Sequence, residues 1–189
     1  MEINLIKNIL NAYVSFNNSE LDMFKGMLNL KMLKKNDYFI RESESVNKIG
    51  IVVEGILELF HIDEFGNEIS IDFAFPNSFT TDYVNYLSNT SSSLNIRAIK
   101  PSKVYVLNKS DLDVLYEKSI QFQKLGRIIA EQSFVEFAKR IRNSSLPPEI
   151  QYNNLITEKQ HWIQQIPQYK LASYLNISPE WLSKLRSKK

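Results

Sequence analysis

The sequence predicts an α+β protein: an N-terminal antiparallel β-roll of jelly-roll type with flanking helices, one long helix, and a C-terminal helix-turn-helix. Three observations predict it. Between about residues 30 and 108, short apolar runs alternate with turn residues, the mark of many short antiparallel strands. From Ser110 onward, apolar residues recur at helical spacing. The stretch 166–189, IPQYKLASYLNISPEWLSKLRSKK, sets two short helical patterns on either side of an Asn-Ile turn.

Taken in order, Leu5, Ile6, Ile9, Leu10 and Tyr13 share one face of a first helix. Ser19 reads as the cap of a second, carrying Leu21, Phe24 and Met27. Strands follow at Tyr38–Ile40, Ile49–Val53 and Ile56–Phe60, the last two separated by Glu54-Gly55. A turn at Phe65-Gly66-Asn67 precedes Ile69, Ile71, Phe73 and Phe75 in strict alternation, and Ile96–Ile99 and Val104–Leu107 complete the set. Ser110-Asp111 reads as the capped start of a short helix. A long helix over about 120–142 carries apolar residues on more than one stripe, more than a single core can take. Leu125, Ile129, Phe134, Phe137 and Ile141 are therefore the candidate seam of a symmetric dimer, the alternative being a helix buried within one subunit. Ser144-Ser145-Leu146-Pro147-Pro148 cannot continue a helix and marks a hinge. The domains expected are 1–143, including the long helix, and 144–189, opening with one further helix at about Glu149–Gln165.

In the closing motif, Leu171, Ala172, Leu175, Ile177, Leu182 and Leu185 supply the apolar set. Asn176 suits a left-handed turn residue, Ser178 an N-cap and Pro179 a first helical position. Pro179, Glu180, Ser183 and Lys184 then face outward. The last 24 residues hold five Lys or Arg against one Glu. Charge is uneven along the whole chain: residues 1–109 carry 11 basic and 13 acidic side chains, and residues 110–189 carry 12 and 8. Positive potential thus gathers where a DNA reader would lie. The same residues also fit a helical hairpin that merely ends a globular domain.

The 189 residues, 43% of them hydrophobic, suffice for one well-cored domain or two small ones. There is no cysteine, which removes disulfides and thiol chemistry. No apolar run is long enough to span a bilayer and no signal-peptide pattern opens the chain, so a cytoplasmic protein without membrane partners is expected. Only His61 and His161 could ligate a metal or haem, and the predicted boundaries put them in different domains. No nucleophile–base pair or Gly-rich phosphate loop is present, so neither catalytic residues, nor a metal, nor a cofactor is expected.

A β-roll, a long helix, a hinge and a helix-turn-helix together resemble the Crp–Fnr family of transcriptional regulators. IVVEGILELF is similar to that family's Gly-centred β-hairpin, here around Gly55, and PQYKLASYLNISPEWLSKLR is similar to one branch's C-terminal motif. The resemblance implies a winged-helix-like reader, a homodimer on a palindromic operator, double-stranded DNA and RNA polymerase as partners, and a small-molecule effector of unknown identity. It implies DNA contacts from Gln168, Tyr169 and Lys170 on the first helix and from Ser178, Pro179, Glu180, Trp181, Ser183, Lys184, Arg186 and Lys188 on and beyond the second. Glu180 matches the base-reading Glu, which can accept from a cytosine amino group. Lys184 stands where the family has Arg and lacks its bidentate geometry. Trp181 equally fits packing against the preceding helix.

Family members that bind cyclic nucleotides use Gly-Glu and, about ten residues later, Arg. Here Thr81-Asp82 and Ser92 fall at those places, with Phe73 and Ser93 completing the candidate effector pocket. Asp82 can meet a hydroxyl, but Ser92 cannot neutralise a phosphate. The sequence therefore predicts no tight cyclic-nucleotide binding. Phe73, Phe75, Phe79, Tyr83 and Tyr86 could instead line an apolar ligand site, or simply form core. The alternative function is a small-molecule-binding module or an interaction protein with no role on DNA.

Overall fold

The computed structural model describes residues 2–187. Two helices, α1 (Glu2–Asn11) and α2 (Asn18–Met27), precede five strands: β1 (Asn29–Leu33), β2 (Tyr38–Ile40), β3 (Lys48–Glu54), β4 (Leu57–Ile62) and β5 (Glu68–Ala74). Then come β6 (Phe79–Thr80), α3 (Tyr83–Ser88), β7 (Asn95–Ala98), β8 (Ser102–Asn108), α4 (Lys109–Lys118) and α5 (Ile120–Ser144). The chain closes with α6 (Pro148–Glu158), α7 (Gln160–Gln165), α8 (Gln168–Tyr174) and α9 (Pro179–Ser187). This is the α+β class the pattern predicts. Two compact units are formed, residues 1–60 with 73–131, and residues 61–72 with 132–189. The division falls inside α5 rather than at the Ser-Pro hinge, and the turn joining β4 to β5 counts with the C-terminal helices.

The strands form two antiparallel sheets, ordered β1-β8-β3-β6 and β2-β7-β4-β5. β8 pairs with β1 from Asn29↔Val106 to Leu33↔Ser102, and with β3 from Lys48↔Asn108 onward. Phe39, Ile40, Ile51, Val52, Leu57, Ile96, Ala98 and Val104 are buried in one cluster with Leu10, Phe24, Leu115, Phe122 and Leu125 from the helices. Phe122, at the start of α5, lies 4.7 Å from Phe16 and 5.5 Å from Phe24 between ring centroids, which anchors α5 on this core.

Some local expectations are corrected. The chain at Gly55 does not fold back as a hairpin: β3 and β4 belong to different sheets, so the turn carries the chain from one to the other. Gly55 has φ +87°, and a Cβ there would collide with Ser102 and the Pro101 carbonyl, so both conformation and space demand glycine. The cap of α2 is Asn17, not Ser19. Its side chain accepts from the Glu20 amide at 2.9 Å while Glu20 accepts from the Asn17 amide at 2.9 Å, a reciprocal box that Ser19 lies inside. Asn108 occupies the cap position of α4, two residues before the Ser110 expected there.

In the second unit, Tyr152, Leu155, Trp162, Ile166, Leu171, Ala172, Leu175, Leu182 and Leu185 are buried. The single helix expected over about 149–165 is two. Lys159 leaves the helical region at φ −134°, ψ 45°, and re-aims α7 so that Trp162 is buried. The hinge is cross-braced: the Gln151 side-chain amide donates to the Leu146 carbonyl at 2.8 Å, and Asn154 donates to Asn143 at 2.8 Å. Strand residues in this unit are the end of β4, His61 and Ile62, and the start of β5 from Glu68 to Asp72, and no strand follows α9 among the described residues. Among the described residues, left-handed turns fall mostly to asparagine, at Asn36, Asn77, Asn89 and Asn176, with Ser43 the remaining non-glycine case.

Candidate functional site

The α8–α9 pair forms as its residues dictate. Asn176 takes the left-handed conformation at φ 54°, and the Ile177 amide reaches back to the Ala172 carbonyl at 3.0 Å, closing α8. Ala172 is fully buried, and its small side chain lets the two helices approach. The Ser178 hydroxyl accepts from the Trp181 amide at 3.2 Å and caps α9, with Pro179 at the first position. Leu182 and Leu185 point inward.

The opposite side of α9 is open. Pro179, Glu180, Ser183, Lys184 and Arg186 are exposed, as are Ser178 at its start and Gln168 and Tyr169 on α8. Trp181 is 38% exposed, presenting an apolar edge beside these polar groups. Hydrogen bonds from its own amide and from Ser178 hold the Glu180 carboxyl below the usual range, so it stands as an acceptor near neutral pH. Lys184 and Arg186 carry the positive end. Lys188 lies outside the described residues. Lys170 departs from expectation: only 5% exposed, it is turned away from solvent, with its ammonium 3.7 Å from the Glu68 carboxylate of the β4–β5 turn and 5.1 Å from the Tyr169 ring centroid.

The five expected seam residues on α5 divide. Leu125 is buried in the first unit's core, and Ile129 is partly buried against it. Phe134, Phe137 and Ile141 are exposed, at 70% for Phe134, and every residue from Glu131 to Lys139 is open to solvent. Their spacing of three and four residues is that of a coiled-coil seam. Behind that seam, Arg140 places its guanidinium over the Tyr174 ring of α8, 4.3 Å from the centroid, which ties this half of α5 to the helix-turn-helix.

Of the effector-pocket residues, the structure brings three together. Asp82 is buried and caps α3, accepting from the Asn85 amide at 3.3 Å. It also accepts from the Ser92 hydroxyl at 2.8 Å and the Ser93 amide at 3.1 Å. Thr81 turns away and donates to the Lys48 carbonyl at 2.9 Å. Phe73 is buried. Asn85 adds bonds to Thr90 and to the Ser91 carbonyl, and Lys109 donates to the Tyr86 carbonyl and to Asn89 at the end of α3. α3 and this self-bonded loop were not legible as such in the sequence. The Asp82-x-x-Asn85 pair is the cap signal that could have shown the helix. Nearby, a groove of about 560 Å³ is lined by Tyr83, Leu87, Tyr116, Gln123, Gly126 and Arg127. Burial pushes the Tyr116 hydroxyl up to about 12, so it stays a neutral donor. His61 and His161, expected apart, both fall in the second unit; neither belongs to a metal-holding group among the described residues.

Comparison with known proteins places these features. Residues 30–119 match the cyclic nucleotide-binding domain family. No curated protein matches the chain. Among solved structures, FixK2 from Bradyrhizobium japonicum is similar at a TM-score of 0.73 and 14% identity, covering 85% of this chain and 83% of that one. A putative cAMP-binding regulatory protein from Silicibacter pomeroyi DSS-3 is similar at 0.64 and 14%, covering 98% and 86%. The Thermus thermophilus catabolite activator protein is similar at 0.56 and 15%, covering 92% and 83%. The protein thus has the fold of the Crp–Fnr regulators, with a cyclic nucleotide-binding-type domain over residues 30–119.

Proposed function

We propose that the protein is a DNA-binding transcriptional regulator that acts as a homodimer on a palindromic operator. The observation that carries this is the exposed outer side of α9, where Glu180, Ser183, Lys184 and Arg186 stand clear of a buried Leu182–Leu185 underside. Glu180 reads a base edge; Ser183, Lys184 and Arg186, with Gln168 and Tyr169, hold phosphate and sugar. Two such helices must enter major grooves about 34 Å apart, so the seam on α5 sets whether DNA is bound. Selection of bound fragments from random DNA tests the reading. Enrichment of a two-fold symmetric sequence is expected; a pool that stays random through successive rounds would remove the assignment.

The effector, on this reading, is not a cyclic nucleotide. Asp82 is already engaged by three donors, and the loop after it supplies no cation to a phosphate. Calorimetric titration with cyclic AMP and cyclic GMP is expected to give no heat of binding at low-micromolar ligand, and a saturable isotherm there would contradict it. The groove beside α3 supports a second reading, a module that binds an apolar small molecule through Tyr83, Leu87 and Tyr116. That reading leaves the outer face of α9 without a role. No catalytic function is proposed. RNA polymerase would be met by the DNA-bound dimer.

A further inference from the structure

β5 ends its sheet, so its outer backbone groups have no neighbouring strand. At the turn end of β5 a side chain from α8 takes that place. The Ser173 hydroxyl donates to the Glu68 carbonyl at 3.0 Å and accepts from the Ser70 amide at 2.9 Å. One hydroxyl thus engages both groups that a paired strand would have used. Arg140 of α5 donates to the Ser70 carbonyl at 3.2 Å. Beside this, the Glu68 carboxylate draws in the Lys170 ammonium. All of these residues belong to the second unit.

The turn itself is held by its own bonds. Asp63 accepts from the Phe65 amide at 2.9 Å, the Asn67 amide at 2.8 Å and the Asn67 side chain at 3.0 Å. It can therefore leave or rejoin α8 without losing its shape. Its attachment includes the Ser173 hydroxyl, the Arg140 guanidinium and the Glu68–Lys170 ion pair, side-chain contacts of the kind that open without unfolding the helices. Lys170 is the cation whose position this attachment decides. It shares a turn of α8 with the exposed Gln168 and Tyr169, and its flexible four-carbon stem lets the ammonium swing out past the Tyr169 ring once Glu68 withdraws.

We infer that the β4–β5 turn is an autoinhibitory latch: while seated on Ser173 it withholds Lys170 from DNA phosphate, and its release adds that cation to the docking face. The inference rests on the DNA-reading role proposed above.

The test uses the full chain, a short mixed-sequence DNA duplex, and the variants Ser173→Ala and Glu68→Gln. Each variant loosens the latch without touching an exposed residue of α9. Two readouts are taken. In the absence of DNA, labelling of lysine amines followed by mass spectrometry reports whether Lys170 is covered. Titrations across a salt series report the number of phosphates engaged. In both variants Lys170 should label several-fold faster than in the parent. The slope of log affinity against log salt should steepen by about 0.9 per added phosphate contact, hence about 1.8 for a two-fold dimer. Adding Lys170→Gln to Ser173→Ala should return the slope to the parent value. Unchanged labelling would overturn the latch, and faster labelling with an unchanged slope would overturn its effect on DNA. If parent and variants alike fail to bind any duplex, the DNA-reading role itself falls, and the labelling result still shows whether the turn covers Lys170.

Discussion

The Lys184→Gln, Arg186→Gln double variant is expected to bind duplex DNA on the order of a hundredfold more weakly than the parent at moderate salt, with a flatter salt dependence. Both side chains are exposed on the last turns of α9, and each brings a cationic group to the face that would meet phosphate. Each phosphate they neutralise releases condensed counterions, and a two-fold dimer loses four such contacts. The slope of log affinity against log salt should therefore fall by about 3.6, at roughly 0.9 per contact. Neither residue is part of the buried underside formed by Leu182 and Leu185, so the helix should still fold. Circular dichroism matching the parent would establish that. A double variant with the parent's affinity and slope would mean that DNA docks elsewhere.

The second large effect is on assembly. Phe134→Glu together with Phe137→Glu is expected to turn a dimer into a monomer in sedimentation at micromolar concentration. These rings stand in solvent on a helix face that carries Ile141 one turn further on. Burying a phenylalanine contributes about 1.5–3 kcal/mol, and a two-fold seam buries each one twice. Carboxylates in its place would have to be desolvated without partners, which reverses the sign. Loss of the dimer should also weaken DNA binding sharply, since each monomer then holds one half-site alone. A parent that sediments as a monomer, or a variant that remains a dimer, would remove the seam.

What was legible in the sequence was what neighbours in the chain decide. The left-handed Asn176, the Ser178 cap and the Pro179 start of α9 are all local choices, and each sits as the residue types require. The alternating strands were legible for the same reason. Long-range choices were not. Leu125 and Phe134 are equally apolar, but only the position of Phe122 on the core determines that the first is enclosed and the second is left outside. Lys170 reads as a phosphate ligand by charge and place, and it is the distant Glu68 that draws it inward. The break at Lys159 has no proline or glycine to announce it; it follows from the burial of Trp162 on one side and Leu155 on the other. α3 is only six residues long, too short for its period to show.

The reliance on asparagine at left-handed positions has a consequence for the denatured chain. Only five glycines are present, and four turns that glycine would commonly take are made by Asn36, Asn77, Asn89 and Asn176. Asparagine tolerates that backbone region better than other side-chain-bearing residues, yet it roams far fewer conformations than glycine when unfolded. Where the strain is small, such an exchange favours the native state by about 0.4–1 kcal/mol per site, through entropy that the disordered chain never had to lose. Part of what keeps this protein folded is thus invisible in any list of its contacts.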